Sequence, residues 1–190
     1  FAEIYLKFIK MSLIKSISGI RGTIGGKVDD NLTPVDVVKF TAAFGTWLQK
    51  TQNKKDLTLV IGRDARISGA MVNSLVTATL QGLGINVIDL GLSTTPTVEV
   101  MVPELKADGG IILTASHNPK QWNALKLLNE KGEFISGKDG SEMLEIAEKE
   151  DFNFAEVDDL GKYETRTDAF DIHIQKIIDL PMVDTEAVKA

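Results

Sequence analysis

The 190-residue chain contains no cysteine, only 5 prolines and no uninterrupted apolar run long enough to span a bilayer. Lack of thiols excludes disulfides, zinc–thiolate centres and cysteine catalysis, and agrees with a reducing compartment, the cytoplasm by default. Positive charge is in deficit too: 21 Lys and Arg face 27 Asp and Glu, a net charge of −6. No long-range field therefore draws nucleic acid or an anionic membrane, and neither is expected as a partner. Nucleotide signatures are missing as well. Gly25-Gly26-Lys27 runs into Val28 instead of Ser or Thr, and Gly82-Leu83-Gly84 lacks the third glycine of a dinucleotide fingerprint. What is present, 43% hydrophobic and 25% charged residues with 16 glycines, is the composition of a soluble globular chain. A domain of roughly 100–150 residues fits within it and leaves a remainder.

Residues 1–10 carry Glu3, Lys7 and Lys10, which interrupt the apolar core a signal peptide needs. Met11 offers a second start, so 1–10 read as a leader, a tag or an upstream extension.

Thr33-Pro34 supplies a capping hydroxyl and a first-turn proline for a helix over 34–49, with Val35, Val38, Ala42 and Leu48 at near-helical spacing. Leu57–Gly62 is short, apolar and β-branched, as a buried strand should be. Ser68 opens a second helix with a stripe of Met71, Leu75, Leu80 and Leu83, and Gly84 stands at its left-handed end. Strands at 85–90 and 109–114 flank a short helix entered through Thr95-Pro96. A further strand at 124–128, a turn at 129–132 and an amphipathic helix at 139–150 follow. Strands alternating with helices predict a three-layer α/β/α sandwich around a mostly parallel mixed sheet of about four strands. Residues 151–163 lack an apolar period and read as a linker. From Ala169 to Leu180 a helical pattern resumes through Phe170, Ile174, Ile177 and Ile178. The domain is accordingly placed at 11–155, with 156–190 as a linker and the first helix of a second, truncated domain.

Thr114-Ala115-Ser116-His117-Asn118-Pro119 lies just past the carboxyl end of a predicted strand, where open α/β sheets hold their ligands. Ser116 is a candidate nucleophile or phosphoryl carrier, and His117 a proton donor or anion partner. Asn118-Pro119 is a candidate for the turn that fixes them; an ordinary polar turn explains the same residues. Ser18-Gly19-Ile20-Arg21-Gly22 reads as a tight loop presenting Arg21, either a phosphate clamp or half of a structural salt bridge. Arg63, Asp64 and Arg66 read as architectural, with Asp64 pairing to its arginine neighbours and capping the next helix. Lys126 sits in an apolar strand, either solvated or aimed at the Ser116 loop, where its ammonium stabilises a transferring phosphoryl group or its amine acts as a base. His173 reads as solvated or capping, and Met101 and Met143 as core.

Residues 12–150, through Thr114–Pro119 with Asn123 and Lys126, Ser18–Gly22 and Gly62–Arg66, resemble the first domain of the α-D-phosphohexomutases. That family includes phosphoglucomutase, phosphomannomutase and phosphoglucosamine mutase. The resemblance implies that Ser116 is phosphorylated and that a phosphate oxygen of it binds Mg²⁺. It also implies that His117 and Asn118 shape the loop, and that Arg21 and Lys126 surround the transferred group, with Ser18 beside them. The implied reaction interconverts hexose or hexosamine 1- and 6-phosphates through a 1,6-bisphosphate. Two departures stand out. Trp122-Asn123-Ala124 replaces an aromatic-Asn-Gly run, adding a methyl group and an expected small local shift. The family's metal loop, sugar loop and C-terminal phosphate clamp are absent, so the main Mg²⁺ ligands are expected elsewhere and the fragment is expected to be inactive alone. A non-catalytic sugar-phosphate-binding or regulatory module of the same fold is the rival reading, and a serine hydrolase a third.

Overall fold

The computed structural model describes residues 12–16 and 19–189; the 1–10 segment and Ser18 lie outside them. Among the described residues no helix is long and apolar enough to cross a membrane.

The chain order is β1 (Ile14–Ser16), β2 (Gly19–Thr23), α1 (Pro34–Gln52), β3 (Thr58–Arg63), α2 (Gly69–Gly82), β4 (Asn86–Leu92), α3 (Thr95–Glu104), β5 (Gly109–Leu113), β6 (Trp122–Leu128), α4 (Gly137–Lys149), a 3₁₀ turn (Val157–Asp159), β7 (Tyr163–Thr165), α5 (Ala169–Ile178) and α6 (Thr185–Lys189). The strands form one sheet in the order β1-β2-β6-β5-β3-β4-β7. Seven strands replace the expected four or so. The sheet is also evenly mixed, not mostly parallel: β3 pairs in parallel with β4 and β5, and β4 with β7, whereas β1–β2, β2–β6 and β5–β6 are antiparallel.

The βαβ units at the centre follow from sequence alternation. Leu59 and Ile61 of β3 point into one core, and Val60 between them points into the other. The larger core lies under α1, α2 and α4, where Phe40 and Phe44 are almost wholly buried. Each such ring contributes on the order of 1.5–3 kcal/mol. The smaller core lies under α3, through Val98, Met101 and Val102, and receives Ala169 of α5. Both methionines expected in the core, Met101 and Met143, are there.

Helix α1 begins at a reciprocal capping box between Thr33 and Asp36 with Pro34 in the first turn, worth about 1 kcal/mol. Ala42 and Leu48 of its expected apolar stripe are buried, but the start of the helix is turned differently. Val37, Phe40 and Phe44 face the core, while Val35 is exposed. In α2, Leu80 and Leu83 of the expected stripe are buried, but Val72 and Val76 are buried in the first turns and Met71 is exposed. Ser68 occupies the N-cap position of α2 but makes no capping bond, and Gly84 adopts the left-handed φ of 77° expected of it.

Gly19 to Gly22 form a strand, not a tight loop. β2 fits between β1 and β6 because Gly19, at φ 109°, has no Cβ; one built there would fall 2.1 Å from the carbonyl oxygen of Leu125.

The stretch read as a linker is tied to the end of α2 and leads into an edge strand. Its Ala155 and Gly161 amides donate to Gly82 and Gln81 carbonyls, and Tyr163–Thr165 pairs with β4. α5 packs beside α3, and Nδ1 of His173 meets the Thr97 hydroxyl at 3.0 Å. The apolar stripe expected on α5 is not buried: Phe170, Ile174, Ile177 and Ile178 are all exposed.

Tyr163 fastens β7 through its hydroxyl, which donates to Asp89 Oδ2 at 2.8 Å. Burial, and next the hydrogen bond to Asp89, push its pKa up to about 12 from 10.0. A raised folded-state pKa favours the neutral phenol in the fold. That stability is complete below pH 10 and declines as pH rises toward 12. Thermal melts should therefore show a fall in stability over this window that is shallower in Tyr163→Phe; identical slopes would contradict the assignment.

Candidate active site

The carboxyl ends of β3, β4 and β5 place three loops together, since parallel strands deliver their connections to the same edge. The Asp64 amide donates to the Leu113 carbonyl at 3.1 Å and the Ser93 amide to the Arg63 carbonyl at 2.8 Å. Residues 114–121 leave β5 here and return as the antiparallel β6, and Ser116 stands at the exposed tip with φ 53°. A non-glycine residue in left-handed conformation costs of order 1–3 kcal/mol and persists only where its surroundings hold it.

Those surroundings are specific. The Ser116 amide donates to Thr114 Oγ1 at 3.0 Å, and its carbonyl accepts from Arg66 Nη2 at 2.8 Å. With both backbone groups engaged, the side chain projects outward, where Lys126 Nζ donates to Oγ at 2.9 Å. Lys126 is the half-exposed member of an otherwise buried run, Asn123–Leu128. Its ammonium also lies 5.8 Å from the centroid of the Phe134 ring, whose face favours a cation.

Arg21 of β2 is opposite Ala124 of β6. Because side chains alternate along a strand, Arg21, Ala124 and Lys126 share one face of the sheet, and Arg21 and Lys126 are diagonal neighbours roughly 7–8 Å apart by ordinary sheet geometry. Arg21 is exposed, and among the described residues it forms no ion pair. Of its two readings, the structural salt bridge is the one without support. His117 is exposed and Asn118 half-buried; the Asn118 amide closes the turn onto the Ala115 carbonyl at 3.0 Å. Ser18 lies outside the described residues.

The Arg63–Arg66 segment is architectural as expected, through the Asp64–Arg66 pair, but not in its helix cap or in Arg63. Asp64 pairs with Arg66, through Nε to Oδ2 at 3.1 Å, and accepts the Arg66 amide at 3.0 Å, but it does not cap α2. Among the described residues Arg63 reaches only the Asp64 carbonyl, at 3.3 Å. The Ser68 hydroxyl, free of a capping duty, accepts from Nδ2 of fully buried Asn123 at 2.9 Å. Asn123 Oδ1 in turn accepts from the Ala124 amide. The extra methyl of Ala124 is buried within the β2–β6 pairing.

Among the described residues no three His, Cys, Asp or Glu side chains gather to hold a metal ion. Around Ser116 the donors are an ammonium, hydroxyls and amides, so these residues alone do not fit a divalent cation. A cleft of about 460 Å³ lined by Lys55, Asp56, Gly84, Asn86 and Lys162 opens at the opposite, amino-terminal end of the parallel strands. It has no geometric relation to Ser116.

Two partners escaped sequence reasoning. Thr114 lies within the quoted motif but its hydroxyl bond to the Ser116 amide depends on the left-handed turn. Phe134 approaches Lys126 only through the bridge between Leu128 and Phe134.

The family model for phosphoglucomutase/phosphomannomutase, alpha/beta/alpha domain I, matches residues 13–154. A phosphoglucomutase/phosphomannomutase of Thermococcus kodakarensis is 34% identical over 170 residues, 88% of this chain and 36% of that protein. A phosphoglucosamine/phosphogalactosamine mutase of Sulfurisphaera tokodaii is 33% identical over 180 residues, 94% of this chain and 37% of that protein. The crystal structure of a phosphoglucomutase/phosphomannomutase family protein from Burkholderia thailandensis shares the fold, with a TM-score of 0.71, 23% identity, and coverage of 87% of this chain and 36% of that one. The chain thus spans just over a third of the length of these relatives.

Proposed function

Since the chain belongs to the phosphoglucomutase/phosphomannomutase family through its α/β/α domain I, we propose that it is the phosphoserine-bearing part of a mutase that interconverts hexose or hexosamine 1- and 6-phosphates. The observation that carries this reading is the Lys126 Nζ to Ser116 Oγ bond of 2.9 Å at an exposed, conformationally fixed serine.

Phosphoryl transfer is governed by positioning and by electrostatic stabilisation. In the forward step, the P–Oγ bond of phospho-Ser116 breaks as a bond forms from phosphorus to a sugar hydroxyl oxygen, whose proton passes, in net, to the released Oγ. Negative charge develops on Oγ, where the Lys126 ammonium stabilises it. The resulting 1,6-bisphosphate then turns end for end. Its other phosphoryl group returns to Ser116, leaving the isomeric monophosphate. Arg21, on the same sheet face and without an ionic partner among the described residues, supplies a second cation toward the phosphate, beside His117 and Asn118 on the loop. Mg²⁺ would draw its ligands from outside the described residues, apart from a phosphate oxygen on Ser116.

An acyl-transfer reading of the Ser116–Lys126 pair is disfavoured, because the nucleophile's own amide, a usual oxyanion donor, is spent on Thr114 Oγ1.

Sugar selection and closure over the bisphosphate require the remaining two thirds of a relative-sized protein. ³¹P NMR of the protein containing this chain, given a hexose or hexosamine 1-phosphate, Mg²⁺ and a trace of the 1,6-bisphosphate, should show the 6-phosphate accumulating. Residues 1–190 alone should show none. Sustained turnover by the fragment, or no conversion of any hexose or hexosamine phosphate by the longer protein, would contradict the proposal.

A further inference from the structure

We propose that Arg66 is the positioning residue for Ser116, acting through the loop backbone and not on phosphate; this rests on the mutase reading for its kinetic consequence but not for its geometry. A guanidinium has five N–H donors in one plane, and in Arg66 all five are committed within the protein. Nε donates to Asp64 Oδ2 at 3.1 Å. Nη1 donates to the carbonyls of Pro119 at 2.9 Å and Trp122 at 3.0 Å. Nη2 donates to those of Ser116 and Asn118, both at 2.8 Å. The side chain is only 11% exposed. No donor remains for a phosphate oxygen, so an arginine beside a phosphoryl site is here excluded from binding the phosphoryl group.

What Arg66 does instead follows from its acceptors. The four carbonyls belong to one segment, residues 116–122, which carries few backbone bonds of its own: Asn118 to Ala115, Trp122 to Pro119, and Ile24 to Gln121. A planar fork that takes four carbonyls at once fixes their mutual orientation, and so fixes the Ser116 peptide in the left-handed turn that aims Oγ at Lys126. The Asp64 carboxylate orients the fork from behind, and the Asn123–Ser68 bond ties the same two loops a second time. Lysine cannot replace it. An ammonium has three donors that diverge from a point, and its shape does not match coplanar acceptors.

The test uses the longer protein with Arg66→Lys and Arg66→Ala beside wild type. Two readouts are taken: amide hydrogen exchange at Asn118 and Trp122, and single-turnover uptake of ³²P from glucose 1,6-bisphosphate onto Ser116. Both variants should exchange these amides faster. Both should take up phosphoryl about 10²-fold more slowly, the scale of an ångström's misplacement of a reacting group, with KM for the sugar phosphate unchanged. Added guanidinium ion should restore much of the rate in Arg66→Ala, and none in Arg66→Lys. A merely stabilising arginine would lower the melting temperature without a rate deficit per folded molecule and without guanidinium rescue. Uptake at the wild-type rate in Arg66→Lys, or unchanged exchange at Asn118 and Trp122, overturns the proposal. If Arg66→Ala does not fold, Arg66→Lys carries the test. Wild-type protein that takes up no phosphoryl group contradicts the mutase reading instead, and the exchange measurement then decides the anchoring by itself.

Discussion

Replacing Lys126 with methionine should slow phosphoryl transfer at Ser116 by about 10²–10³-fold, the usual cost of removing one aimed donor from a developing charge. Methionine keeps an unbranched stem of similar length, so the contact with the Phe134 ring is retained while the ammonium at 2.9 Å from Oγ is lost. The melting temperature should change little, because the site of substitution is half-exposed. Arginine at this position should not restore the rate. Its guanidinium is wider than an ammonium and delivers charge in a plane, whereas the space beside Ser116 Oγ is filled by a compact cation. Single-turnover rates of Lys126→Met and Lys126→Arg, with the 1,6-bisphosphate as donor, check this. A rate within a few-fold of wild type in Lys126→Met would remove Lys126 from the chemistry.

The larger effect is expected at Ser116 itself. Ser116→Ala should abolish mutase turnover, with a loss on the order of 10⁶-fold or to background, as for removal of a nucleophile elsewhere. The substitution is clean on structural grounds. Alanine keeps the Cβ and so leaves the strain of φ 53° as it was. The bonds that hold the loop, Ser116 amide to Thr114 Oγ1 and Arg66 Nη2 to the Ser116 carbonyl, are made by backbone atoms and survive. Only the hydroxyl proposed to carry the phosphoryl group is removed. Substrate affinity measured by calorimetry should persist in Ser116→Ala, whereas turnover persisting would show that the acceptor lies elsewhere. Phosphorylation would add about 1.5–2 negative charges at this point, beside the Lys126 ammonium that meets Oγ at 2.9 Å.

How far the sequence reveals this arrangement depends on the range of the interaction concerned. The central βαβ units were legible because local rules decide them: Thr33-Pro34 starts α1, Gly84 ends α2, and apolar β-branched runs make β3 and β5. Phase within the helices was less so, since Val35 and Val37 both satisfy an apolar period and only packing on the sheet selects Val37. β2 was illegible. Gly-Ile-Arg-Gly looks like a loop, and the reason for its glycine, the nearness of the Leu125 carbonyl, lies more than a hundred residues away. β7 is three exposed residues held by one edge pairing and the Tyr163–Asp89 bond, too short to leave a pattern. At the site, Ser116 could be singled out from its place just past the end of a strand, and Lys126 as the one charge inside an apolar strand. The service of Arg66 to four carbonyls could not, because an arginine two residues after an aspartate shows only the local ion pair.

The central claim is that Ser116 carries a phosphoryl group taken from, and returned to, a sugar phosphate. Phosphopeptide mapping of the protein after brief exposure to glucose 1,6-bisphosphate tests it most directly. The account predicts one added phosphoryl group, on the peptide containing Thr114–Pro119 and located at Ser116, which leaves again when excess hexose monophosphate is added. A peptide that stays unmodified, or phosphate found on another residue and indifferent to the sugar, would contradict it.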